Sequence, residues 1–397
     1  MENSSFRPSH WENTTFLRSP DVVVIGAGLT GLQAALALKK NNPKCDVLVI
    51  ERSPIPRGAS TRNAGFACFG GPTELLADLD AYGAESTVAT VRERYAGIQA
   101  LEANYAGRDI DWQKHGGYEV IDDEATAEMV RERLPELNGL LAEVTGLAET
   151  WAYESTPYLH GSTRACLRNP IEAQLHPGKL VSTLLKDCHQ AGVRFLFGCE
   201  VDYFASQLPE AVGAGAGSVK VEGAGWGSIV AKQALVTVNA FARKLLPADF
   251  SETIRPVRNQ ILLSDPLPGF KLRGCYHYHE GYVYFRNVGE DRLLIGGARH
   301  QAGQSSETDA FGPNGVPEAY LIGKLNQWLP ERNWTNEDFP TRWSGIIAQG
   351  DGKSPVLRYA SENVLVAGRL AGMGVALSAA LARRAVEMLG AATKITG

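Results

Sequence analysis

DVVVIGAGLTGLQAALALKKNNPKCDVLVIER, residues 21–52 of a 397-residue chain, decides the fold. Residues 21–25 are a short run of β-branched apolar side chains, which reads as a buried parallel strand. Gly26, Gly28 and Gly31 then spell G-x-G-x-x-G, residues 29–38 open an apolar helix, residues 46–50 form a second strand, and Glu51 ends it. Each part has a task. Gly26 permits the tight turn, Gly28 lets backbone approach a pyrophosphate, and Gly31 lets helix pack on sheet. The N–H groups and partial positive charge at the helix start suit phosphates. The backbone of Gly26, Ala27, Gly28, Leu29, Thr30 and Gly31 is therefore expected to line a dinucleotide. Glu51, followed by Arg52, is placed to accept from a ribose hydroxyl.

Composition sets bounds around this unit. At 397 residues two or three domains are expected, and 44% hydrophobic with 21% charged residues is ordinary for a globular chain. A net charge of -5 without a long basic run gives no sign of a nucleic-acid partner. No segment approaches the ~20 consecutive apolar residues of a membrane span. The polar first 20 residues lack the apolar core of a signal peptide. The six cysteines show no C-x-x-C spacing, and the eight histidines no H-E-x-x-H. A cytoplasmic location and no metal site are the resulting expectations.

Three segments have α/β character: 21–71, 178–245 and 360–392. In the second, 179–192 reads as a helix and 193–201 as a strand ending at Val201. Residues 218–223 and 228–238 read as further strands, and the glycine-rich 211–228 as a hairpin or loop. In the third, 363–368 is a strand and 374–389 an alanine-rich helix. Between these lie helices over 86–107 and 125–144 with a strand near 118–121, and antiparallel strands over 253–300. The expected fold is α/β: a Rossmann-type domain from three pieces (1–73, 173–245, 336–397) and an interleaved α+β domain (74–172, 246–335) with an antiparallel sheet.

The order of motifs resembles the D-amino-acid oxidase-like flavoproteins, which include glycine, sarcosine and γ-glutamylputrescine oxidases. After the fingerprint and Glu51 comes GASTRNAGF (58–66), similar to the loop that wraps the flavin in that family. LHPGKLVSTL (175–184), VTVNAFARKLLP (236–247), RPVRNQILL (255–263), YVYFRNVGEDRLLIGG (282–297) and VLVAGRLAGMGVALSAALARRAVEML (364–389) follow in family order. Many relatives have Gly where this chain has Asn259. The resemblance implies FAD. Ser60, Thr61, Arg62, Asn63 and Ala64 would hold phosphate, ribityl or ring atoms, Asn239 would sit in the strand-to-loop element, and Gly372, Met373, Gly374 and Val375 would face the ring. Relatives that bind flavin covalently carry His near the position of Arg62 or Cys near that of Gly345; neither is present, so the FAD is expected to be non-covalent, with Cys68 a small buried residue.

CYHYHEGYVYFRNVG (275–289) carries the substrate reading. A two-residue turn at Glu280-Gly281 sets His279 opposite Tyr282, His277 opposite Tyr284 and Cys275 opposite Arg286. These six would share one face, with Tyr276, Tyr278, Val283 and Phe285 on the other. The polar face looks onto an active site or onto water. The resemblance implies that Arg286 clamps a substrate carboxylate, the bland reading being a salt bridge at a domain seam. Tyr284, His277 and Arg62 are the other candidates for the pocket. The lysine that sarcosine oxidases place over the flavin has no counterpart in 292–299.

The function this implies is oxidation of an amine or amino-acid C–N bond by hydride transfer to flavin N5. The imine is then hydrolysed, and O2 or another acceptor takes the electrons. Two further readings stay open: a flavin monooxygenase using NAD(P)H, with Gly350-Asp351 as a superficial second phosphate motif, and a non-catalytic FAD-binding protein.

Overall fold

The structure is a computed structural model and describes residues 8–155, 158–159, 161–207 and 217–395. The fingerprint folds as its residue types require. Val22–Ile25 (β1) is buried at every position, and Val47–Glu51 (β2) pairs with it in parallel. Gly26, at a φ of 105°, turns the chain out of β1 into the helix Leu29–Asn41 (α1). At Gly31 a Cβ would collide with the Gly26 carbonyl and with Thr237 Oγ1, so only glycine lets α1 lie this close to the sheet.

Six strands make the sheet around β1, in the order Val356–Ser361, Val364–Gly368, Gln233–Val236, β1, β2, Arg194–Phe197. All neighbours are parallel except the first pair. The three separated segments thus meet in one Rossmann-type sheet. Residues 228–238, read as one strand, form two: Gly227–Ala231 joins a small antiparallel sheet with Ser218–Gly223, and Gln233–Val236 enters the parallel sheet. The first part of the glycine-rich 211–228 falls outside the described residues; the remainder is a hairpin.

Two long helices complete the picture. Pro72–Tyr105 (α2) extends the expected 86–107 helix back to the glycine pair at 70–71, with non-helical backbone at Gly83. Gly374–Ile395 (α3) packs on both α1 and α2. Gly97 of α2 touches α3 so closely that a Cβ would collide with the Ala376 carbonyl.

The second domain is built on an eight-stranded sheet. Five of its strands are Arg255–Leu263 (β3), Cys275–Tyr278 (β4), Val283–Val288 (β5), Arg292–Gly297 (β6) and Thr341–Gln349 (β7). Their order is β7-β3-β6-β5-β4, followed by Gly117–Ile121, Ala165–Asn169 and Ala152–Tyr153. All pairs are antiparallel except β4 with Gly117–Ile121. Strand β7, expected among the FAD-binding pieces, instead pairs with β3 over its whole length and forms the edge of this sheet. Among the described residues, no helix is long and apolar enough to cross a membrane.

Candidate active site

A cavity of about 320 Å³ is lined by the turn after β1, the end of β2, the 58–60 loop and the start of α3. Gly28, Leu29 and Thr30 face it at the N-terminus of α1. A Cβ on Gly28 would stand 3.0 Å from Ser60 Oγ, which itself accepts from Leu29 N at 2.9 Å. Glu51 lines the cavity; its Oε2 accepts from Ala27 N just before α1 at 3.0 Å, and its Oε1 from Ser53 N just after β2 at 3.1 Å. Arg52 lies over the Phe241 ring at 3.9 Å and 3.7 Å from Glu200. Val201 and Asn239 line the same space.

At the far end the backbone is held in an unusual course. Asn239 (φ 49°), Arg369 (57°), Ala371 (48°) and Gly372 (89°) all lie in the left-handed region. Asn239 Oδ1 accepts from Arg369 N at 3.0 Å and from Leu370 N at 3.4 Å, fixing the turn that delivers Gly372, Gly374 and Val375 to the cavity. Such strain persists only where the surroundings enforce it, and it concentrates at ligand clamps. A cleft with a helix N-terminus at each end and an acid at the end of β2 fits an extended dinucleotide.

Not every expected contact is present. Gly31 and Ala27 are absent from the cavity wall: Gly31 seats the helix, and Ala27 presents its N–H to Glu51. Thr61 Oγ1 donates to Pro56 O at 3.0 Å and does not line the cavity, because the loop needs that bond to close its own turn. The Asn63 amide is likewise spent on its loop, donating to Ala59 O and Ser60 O and accepting from Gly65 N, so only the residue's body reaches the space. Arg62, Ala64 and Met373 face a second cavity rather than the first.

That second cavity, about 410 Å³, shares Ala59, Asn63, Ile347, Gly372 and Val375 with the first. Its roof is one face of the large sheet. Strand alternation presents Asn259 and Ile261 of β3, His277 of β4, Tyr284 of β5, and Gly345, Ile347 and Gln349 of β7. The space above Tyr284 exists because β6 carries glycine there: a Cβ on Gly296 would stand 2.7 Å from the ring.

The hairpin register is as the sequence implies, with His277 opposite Tyr284 and Tyr276 opposite Phe285. Three of the six residues depart from the expected polar face, the first being Cys275, which is buried with its thiol donating to Ala173 O at 3.3 Å. His279, at a φ of 53°, begins the turn early, is exposed, and lines a separate cavity. Arg286 is buried beneath the 63–66 loop, where it donates to Ala64 O at 2.5 Å, Leu175 O at 3.0 Å and Asn287 O at 3.3 Å. Burial pushes its pKa down to about 10. It does not line either main cavity, so its guanidinium is a fastener for three carbonyls rather than a carboxylate clamp.

His277 is also in a different setting from the one expected. Its Nε2 lies 2.8 Å from Glu172 Oε2, and its ring meets Phe66 edge-on. Burial would lower its pKa, but the Glu172 charge and hydrogen bond, aided by Glu119 and Glu74, raise it. The Glu172 partnership therefore favours the protonated ring over the neutral one. Tyr284 is pushed up to about 12 by burial and stays a neutral hydroxyl. Cys68 joins Glu172 and His277 within 4.8 Å, a grouping that sequence spacing does not reveal. Burial, then the nearby Glu172, raises its thiol pKa well above normal.

Several cavity residues escaped the sequence reading. Glu74 and Asp78 of α2 each bind Lys353 Nζ at 2.7 Å, and Arg94 stands 3.1 Å from Glu74. Burial opposes ionisation of Glu74, but Arg94 and Lys353 bring its pKa down to about 2. Arg299 follows left-handed Ala298 at the end of β6 and lies over the Tyr282 ring at 4.3 Å. The one signal for it was the GG-A-R ending of β6, where glycines open room for a long side chain.

A family model described as DAO, FAD dependent oxidoreductase, matches residues 21–388. A probable oxidoreductase OrdL of Rhizobium meliloti (strain 1021) is 25% identical over 378 residues, covering 91% of this chain and 81% of that protein. The fold is similar to that of glycine oxidase from Bacillus cereus ATCC 14579, with a TM-score of 0.74, 15% identity, and coverage of 94% and 98% of the two chains. It is also similar to FAD-bound L-α-glycerophosphate oxidase from Mycoplasma pneumoniae, with a TM-score of 0.73, 16% identity, and coverage of 94% and 95%.

Proposed function

The chain belongs to the FAD dependent oxidoreductase family, so it is an oxidoreductase with FAD as its cofactor, and on that premise we propose that it oxidises the C–N bond of an amino acid or amine. The observation that carries this reading is the junction of the two cavities at Ala59, Asn63, Ile347, Gly372 and Val375, beneath a polar sheet face. The first cavity would hold the nucleotide through Gly28, Leu29, Thr30, Ser60 and Glu51. The second would hold the substrate. Bound FAD supplies the two-electron acceptor that converts the C–N bond to an imine, which water then hydrolyses; O2 or another acceptor takes the electrons onward.

The chain's own residues orient and exclude water rather than move protons. His277 Nε2 lies against Glu172, which raises its pKa, and Tyr284 keeps its proton. Tyr284 is therefore no base here, and we infer that the substrate amine binds in its neutral form. Asn259 and Tyr284 present polar groups from the roof, while Ile261 and Ile347 keep the same face dry. Lys353 ties the 350–354 loop to α2 at the cavity wall. We assign the nucleotide to pieces 1–73, 173–245 and 336–397 and the substrate to 74–172 and 246–335, with β7 moved to the substrate side. The six cysteines are free thiols, which fits the reducing cytoplasm.

The test is an anaerobic screen of the yellow holoenzyme with amino acids, N-methyl amines and polyamines. Loss of the flavin's blue absorption band with one class, and regain on admitting O2 or an artificial acceptor, is the expected result. A flavin that no amine reduces, but NAD(P)H does, would replace this reading with a monooxygenase.

A further inference from the structure

Cys68, Glu172 and His277 come from three parts of the chain and meet in one buried spot. A thiol sulfur, a carboxylate oxygen and a ring nitrogen there all lie within 4.8 Å of one another. None of the three residues is more than 6% exposed. Cys68 follows the two-residue strand 66–67, and Glu172 precedes that strand's antiparallel partner 173–174. Phe66 pairs with Gln174 and Ala67 with Ala173, so Cys68 and Glu172 emerge at the same end of the ladder. His277 arrives from β4. Glu172 Oε1 accepts from Phe69 N at 3.0 Å, which fixes the carboxylate, and its Oε2 lies 2.8 Å from His277 Nε2.

A second observation is the thioether of Met373, just before α3, which stands 4.0 Å from Cys68 Sγ. Cys68, His277 and Met373 all line the second cavity, which gives the group an entry path. The donor chemistry is specific. A thiolate, an imidazole and a carboxylate, with a thioether as a weak fourth donor, make a borderline-soft set that hard cations such as Mg²⁺ and Ca²⁺ disfavour. Tetrahedral zinc, with bonds of about 2.0–2.3 Å, places its donor atoms about 3.3–3.8 Å apart. Three atoms within 4.8 Å of one another reach that spacing by small side-chain movements. The charges agree as well. Glu172, Glu119 and Glu74 all act on His277, and a lone thiolate at Cys68 is disfavoured by burial and by Glu172. A dication removes that cost.

We propose that Cys68, Glu172 and His277, with Met373 as a weak fourth donor, bind a borderline-soft divalent cation of the Zn²⁺ class at the wall of the second cavity. The ion takes the place of protons. The proton on Cys68 Sγ leaves for solvent, and the one between His277 Nε2 and Glu172 Oε2 leaves or moves to Nδ1. Zinc has no redox chemistry, so the site adds no electron-transfer step to the proposed C–N oxidation. It is a site beyond that reaction, and it stands or falls independently of the substrate.

The FAD-loaded protein is stripped of metal with EDTA, dialysed, and titrated with Zn²⁺ and with Cd²⁺. Bound metal is counted by equilibrium dialysis, and the ultraviolet charge-transfer band of a cadmium–thiolate bond reports the sulfur ligand. Saturable Zn²⁺ binding that excess Mg²⁺ does not displace is expected, together with a saturable thiolate band for Cd²⁺. Cys45 and Cys199, the two thiols that are not buried, set a background that the variants share. Cys68→Ser should lose one equivalent of metal and its share of the band. His277→Gln should raise the Kd at least about 10-fold, since changes one layer beyond the ligands already cost roughly 10- to 100-fold. Unchanged stoichiometry and Kd in Cys68→Ser, no saturable binding to the wild type, displacement by Mg²⁺, or bound Cd²⁺ without a thiolate band would overturn the proposal. The wild-type measurements carry the test should either variant fail to retain FAD. No amine is present, so the outcome does not depend on whether any amine reduces the flavin.

Discussion

Two buried ionisable residues should make this protein less stable as pH rises through neutrality. Glu119, fully buried beside β4, accepts from Thr73 N at 2.8 Å and from Thr73 Oγ1. Burial raises its pKa to about 7 despite those bonds and the charge of His277. The folded state thus holds this proton more tightly than the unfolded chain, and stability declines from the ordinary carboxylate range up to about pH 7. His277 has the same sign: its raised folded pKa gives a contribution present below the unfolded value and lost as pH climbs through the folded one. Glu119→Gln keeps an acceptor for Thr73 and should flatten the lower part of a Tm-against-pH curve. His277→Gln should flatten the upper part. Unchanged slopes in both would show that neither group titrates as the geometry implies. At this scale the sequence was legible where backbone chemistry dictates the residue, as at Gly26 and Gly31. It misled where a side chain's partner comes from far along the chain. Arg286 reads as a ligand-binding arginine until Ala64 and Leu175 fold over it, and His277 reads as solvent-facing or catalytic until Glu172 arrives from more than a hundred residues away.

Two glycines set the packing around the first cavity: Gly31 seats α1 on the sheet, and Gly97 seats α2 against α3. Gly31→Ala would press a methyl group against the Gly26 carbonyl and move the N-terminus of α1 away from the phosphates. Overpacking of this kind costs ~1–3 kcal/mol. The variant should therefore purify with a lower flavin-to-protein ratio and a lower Tm; full flavin content would mean that α1 does not cradle the diphosphate. Gly97→Leu should separate α2 from α3, lowering Tm and loosening the Gly372–Val375 turn, which added FAD would only partly restore. Most elements were visible in the sequence because periodicity and glycine positions are local properties. The hairpin register followed from its turn alone. What was missed depends on tertiary context. Strand β7 lies next to the C-terminal Rossmann strands in sequence, yet its alternating face serves as the cavity roof. The 228–238 run reads as one strand because nothing local marks the switch between two sheets.

For the whole molecule, the fold works as a two-part clamp. In the proposed function the parallel sheet and its helix termini would hold one end of an elongated cofactor, and the antiparallel sheet would cover the other. No residue in the Arg62 or Gly345 region offers a histidine or cysteine, and the nearby Cys68 thiol is held neutral by burial. Acid precipitation should therefore release all the yellow colour into the supernatant, whereas colour retained in the pellet would reveal a covalent bond, with Cys68 the first suspect. The measurement that bears most directly on the account is a crystal structure of the holoenzyme. The diphosphate is expected at the start of α1 and the ring where the two cavities meet near Gly372 and Ile347. A ring lying outside that junction, with the sheet face turned away from it, would contradict the account.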